Sequence, residues 1–137
     1  MTSFFKTTNM WLMAAALISF ATTALHVFIG TGQIMDPLYA SDAPALTKGL
    51  AEVMWNQITL LLLVGGGVLW WAATHSQTAV QFSLTIIVLY LGIAILFVVS
   101  GLNRFGGLWV MEQWTLFLLM AVLAIVGVAQ SKKLTPV

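Results

Sequence analysis

A chain of 137 residues that is 61% hydrophobic and only 7% charged, with a mean hydropathy of +1.02, has too little polar surface for a water-soluble domain and reads as an integral membrane protein. A formal net charge of +1 with no basic cluster sets nucleic-acid binding aside, and the absence of cysteine removes disulfides, thiolate metal sites and a thiol nucleophile. The partner that composition does imply is the lipid bilayer.

A helical crossing takes about 20 apolar residues, and a charge at mid-bilayer costs a few kcal/mol, so charge-free windows are read as spans. Four occur, at residues 10–30, 50–73, 80–100 and 108–129. Stretches such as "ITLLLLVGGGVLWW" and "FLLMAVLAIVGVA" are apolar on every side, which excludes the alternating dyad of a porin-like barrel. The expected fold is all-α, an antiparallel four-helix transmembrane bundle forming a single domain.

The first window follows one basic residue, Lys6, and its "ATTA" is a poor cleavage site, so it is read as a retained helix and not as a signal peptide. Near its end stands His26, where a lipid-facing helix would favour leucine. Counting from Ser19, residues Thr22, Thr23 and His26 fall at offsets of three, four and seven, which places all four on one stripe facing protein. The next segment, residues 31–49, carries two prolines and two aspartates and is expected to be a loop.

The second window opens with Glu52, Trp55, Asn56 and Thr59, again at offsets of three, four and seven, and holds a glycine triplet at 65–67. Mid-helix glycines allow close packing or local unwinding, of which packing is the commoner use. The connection "THSQTA" is short and contains His75, on the opposite side of the membrane from His26, so a haem held between the two histidines of this chain is not expected. The third window ends in Ser100, Asn103 and Arg104. After the tight "NRFGG" connection, the fourth begins with Glu112, Gln113, Trp114 and Thr115.

An even number of spans puts both termini on one side. That side holds Lys6, Lys132 and Lys133 and no acid, whereas the other holds Lys48, Arg104 and all four carboxylates, Asp36, Asp42, Glu52 and Glu112. By the positive-inside rule the termini are cytoplasmic, and in a bacterial inner membrane the acidic side faces the periplasm.

Polar residues of all four helices thus converge on the outer third of the bundle. Ionisable groups at membrane depth must pair or reach water, so Arg104 is expected beside Glu52 or Glu112, with His26, Asn56 and Asn103 completing a ligand-binding pocket walled by Trp55 and Trp114. The competing explanation is structural: charges within a turn or two of a helix end can snorkel or complement the macrodipole. Met35, Met54 and Met111 share this end with His26 and would suit copper(I), and His26, Glu52 and Glu112 would suit zinc, but no tight ligand spacing supports either metal.

Three functions fit this pattern. The pocket binds or transports a small polar or amphipathic ligand, with Arg104 countering an acidic group. Alternatively, the protein is an accessory subunit of a larger membrane complex and the polar cluster fixes helix register. The weakest reading is an intramembrane enzyme using Glu52 and His26 as acid and base, since no nucleophile or metal motif accompanies them. Four helices enclose little space, so a transporter of this size would be expected to form a homodimer.

Overall fold

The computed structural model describes residues 8–75 and 79–133; Lys6 and the centre of the "THSQTA" connection lie outside the described residues. Helix α1 runs over Met10–Ala40, α2 over Ala45–Thr74, α3 over Ala79–Phe105 and α4 over Trp114–Lys133. All four are long and apolar enough to cross a membrane. The protein is a small polytopic membrane protein built as an all-α four-helix bundle.

Successive helices lie side by side and α4 closes against α1, giving an up-down-up-down ring in which the α2–α3 seam is the thinnest. The termini and the α2–α3 connection form one end of the bundle, called here the termini end. The α1–α2 and α3–α4 connections form the other, the loop end.

Asn9 organises the termini end. Its Oδ1 accepts from the Trp11 and Leu12 amides at 3.2 Å each, capping α1, while its Nδ2 donates to the Gly127 carbonyl at 2.7 Å and to Ser131 Oγ at 2.9 Å on α4. Its own backbone amide donates to the Ala73 carbonyl of α2 at 2.8 Å. One side chain and one amide therefore satisfy orphan groups at the ends of α1 and α2 and tie α1 to α4, which lipid could not do.

Leu12, Leu62, Leu69 and Met120 are fully enclosed in the core, which fills the bundle from the termini end to its middle. A polar knot crosses it. Ser19 Oγ donates to the Leu62 carbonyl at 2.7 Å, so the Tyr90 hydroxyl, also at 2.7 Å, must donate to Ser19. The glycine triplet explains how the tyrosine fits. Helix α2 continues unbroken through it, a Cβ on Gly65 would collide with the Tyr90 hydroxyl, and one on Gly66 would stand 2.8 Å from the Phe20 ring. Close packing is the use made of these two glycines, with side chains as the visitors.

The connection expected over residues 31–49 is a correction. The chain stays helical through Ala40 and becomes helical again at Ala45, leaving 41–44 as the turn. Hydropathy windows stop where polar residues begin, but a helix has no need to stop at the membrane surface. At 31 and 30 residues, α1 and α2 are about 45 Å long against a hydrocarbon core of ~30 Å, so their loop-end turns reach the interface or beyond. Lys48 stabilises this turn by donating to the Tyr39 and Ser41 carbonyls at 2.8 Å each, satisfying the end of α1. At the other hairpin, α4 begins later than the expected residue 108, after a single 3₁₀ turn over Trp109–Met111.

Candidate functional site: a cleft between the first two helices

The feature that positions the site is a change of winding within α1. From His26 to Met35 the helix is of the π type, and at its end the Asp36 amide bonds the Thr31 carbonyl five residues back. The stretch "HVFIGTGQIM" holds two glycines and four β-branched residues, all weak α-helix formers, so the narrower winding has little intrinsic advantage here. An α-helix carries residues four apart forward by about 40° per step, whereas the wider turn carries them back. The combination keeps Val27, Thr31, Met35 and Tyr39 on one face of α1 for three turns.

That face receives Trp55 from α2. The His26 and Trp55 rings stack with centroids 3.8 Å apart at an interplanar angle of 20°. His26 Nε2 lies 3.1 Å from the Trp55 carbonyl, and since a carbonyl only accepts, the imidazole donates through Nε2. The indole Nε1 donates to Thr31 Oγ1 at 3.2 Å, and a Cβ on Gly30 would approach the indole ring to 3.0 Å. One aromatic side chain is thus held by an imidazole, a hydroxyl and a bare glycine of the widened segment.

Above this clamp lies a cleft of about 160 Å³. The four α1 residues line one wall, and Glu52, Trp55, Asn56 and Thr59 line the other. Met35 is 3% exposed and closes the cleft, whereas Glu52 and Asn56 are exposed at its mouth. The Tyr39 hydroxyl faces the Glu52 carboxylate across it, with Asp36 nearby.

Of the eight residues expected at a common pocket, the structure brings together His26, Glu52, Trp55 and Asn56. Asn103 and Arg104 are exposed at the end of α3, and Glu112 is exposed on the turn into α4. Among the described residues Arg104 forms no ion pair with Glu52 or Glu112. Trp114 belongs to the second hairpin as well: its Nε1 donates to the Leu108 carbonyl at 3.2 Å and its ring leans on Trp109 at 5.6 Å. The polar residues therefore divide by hairpin, because each pair is tied into its own connection.

Thr31 and Tyr39 are cleft residues that the sequence reading passes over, having ended the first helix at Gly30. The four-residue spacing of Val27, Thr31, Met35 and Tyr39 is the signal that could have found them. Among the described residues no group of three or more histidine, aspartate and glutamate side chains converges as a metal site, and of the three loop-end methionines only Met35 lines the cleft. His75 stacks on Trp71 at 3.7 Å near the termini end, far from His26 along the bundle. A second, wholly different hollow of about 360 Å³ lies on the α2–α3 seam, lined by Val64, Gly67, Val68, Trp71 and Phe82.

Comparison of the chain with known protein families, with curated proteins and with solved structures finds no match, so function is argued from side chains alone.

Proposed function

We propose that the protein is a membrane-embedded binding module whose α1–α2 cleft takes a small polar or amphipathic ligand. The observation that carries this is the clamped Trp55. Three α1 residues orient its indole, while Glu52 and Asn56 are exposed at the mouth of the adjoining space, with Glu52 facing the Tyr39 hydroxyl. Uptake across the bilayer is the less favoured form of this function, since the core below the cleft is closed by Leu62, Tyr90 and Met120.

The positive-inside rule supports cytoplasmic termini and a cleft opening to the opposite side, which in a bacterial inner membrane is the periplasm. A C-terminal reporter active only in the cytoplasm tests the orientation. The binding itself is tested by thermal unfolding in detergent of wild type, His26→Ala and Trp55→Leu against a panel of quinones, lipids, organic acids and amines. A ligand that raises the wild-type midpoint, and fails to do so for folded variants, supports the cleft as a binding site. Midpoints unmoved by the whole panel would favour the accessory-subunit reading. A specific feature speaks for that alternative: Leu46, Leu50, Val53 and Met54 are 54–74% exposed along α2 at the loop end. Co-purification from native membranes with other chains is its test.

A further inference from the structure

We infer that the cleft selects a small organic cation, of the quaternary ammonium or alkylamine class. This deepens the reading of the cleft as a ligand site and rests on it. Among the residues lining the cleft there is one carboxylate, that of Glu52, and no basic side chain, and the next acid, Asp36, stands nearby. Neither of the two basic residues at this end lines the cleft. Lys48, one turn before Glu52, places its ammonium 2.8 Å from two carbonyls of the α1–α2 turn, and Arg104 belongs to the other hairpin. His26 lies behind Trp55 and does not line the cleft.

The remaining surface suits a cation that carries alkyl groups. Trp55 and Tyr39 contribute aromatic rings, whose quadrupole attracts positive charge, and Met35 and Val27 supply soft apolar contacts for methyl groups. A carboxylate at the mouth with aromatic rings within offers such an ion both its counter-charge and its desolvated seat. An anionic ligand would meet Glu52 with no compensating donor beyond hydroxyls and one amide. The expectation from sequence that Arg104 greets an acidic ligand is thereby replaced by the opposite polarity.

The test uses three near-isosteres that differ in charge: choline, 3,3-dimethyl-1-butanol and 3,3-dimethylbutanoate, titrated calorimetrically into the full chain in a nonionic detergent. Choline is expected to bind about tenfold or more tighter than the neutral alcohol, with the anion weakest. Glu52→Gln is expected to erase the advantage of choline over the alcohol, and Arg104→Gln to leave that advantage intact. A soluble short-chain phosphatidylcholine, titrated in parallel, separates the sources of the cation: tighter binding than choline assigns a lipid headgroup, equal or weaker binding a free amine. Equal affinity for all three isosteres, preference for the anion, or a choline preference that survives Glu52→Gln overturns the cation inference while leaving the cleft a ligand site. If none of the isosteres and no phosphatidylcholine binds, the cation inference is overturned, and the cleft reading fails with it only where the whole thermal panel is also without effect.

Discussion

The two ends of this bundle treat polar groups in opposite ways. At the termini end Asn9 spends its side chain and its amide on three helices, and in the core Ser19 and Tyr90 close a knot around the Leu62 carbonyl. At the loop end the side-chain bonds stay within each hairpin among the described residues, His26, Trp55 and Lys48 joining α1 to α2, and Glu52, Asn56 and the Tyr39 hydroxyl stand at an open cleft. In a bilayer an unsatisfied polar group is expensive, so closure where lipid surrounds the helices and openness where they meet water is the economical division. Satisfied polar groups are therefore concentrated in one half of the molecule and open ones in the other.

The largest expected effect comes from filling the glycine notch. Gly65→Val places branched carbon against the Tyr90 hydroxyl and is expected to destabilise the bundle by about 2–4 kcal/mol, read as a loss of reversible unfolding midpoint in detergent. Unchanged stability would mean that the knot is loose enough to repack. Asn9→Ala comes next. It removes a cap and two interhelical bonds, for about 2–3 kcal/mol, and hydrogen exchange should report fraying at the ends of α1 and α4 together.

A change at the loop end should behave differently. Trp55→Leu is expected to lower global stability by only about 1 kcal/mol, while exchange accelerates selectively across His26–Met35, whose widened turns lose the ring that rests on them. A global loss as large as that of Asn9→Ala would erase the contrast between the two ends. The smallest effect sharpens the contrast from within the core. Ser83 is fully buried on α3 and its hydroxyl has no hydrogen-bond partner among the described residues, so Ser83→Ala should leave the midpoint unchanged or raise it by about 1 kcal/mol.

Much of the fold was legible because hydropathy adds up along the chain: four windows without charge require four crossings, and short connections require antiparallel neighbours. The stripe from Ser19 to His26 was also legible, since α-helical spacing holds over most of it, and Ser19, Thr22 and Thr23 are buried. The site was legible only by halves. Trp55, Asn56 and Glu52 share a helix face by simple offset, but their partners Thr31, Met35 and Tyr39 were hidden in a segment whose prolines and aspartates resemble a loop. Pro37 falls where the winding returns from the π to the α type, one turn before α1 ends.

Sequence by itself determined that this chain lives in a membrane, how many times its helices are able to cross, and at which end its carboxylates gather, because each of these is a property of residues taken in order. Tertiary structure decided which of those residues meet. The i→i+5 winding after Leu25 and the rotation of each helix about its own axis set His26 against Trp55, gave Glu52 a tyrosine and not an arginine, and left Arg104 on the other hairpin. Those angles come from packing between helices that are distant in sequence, and no count along one chain contains them.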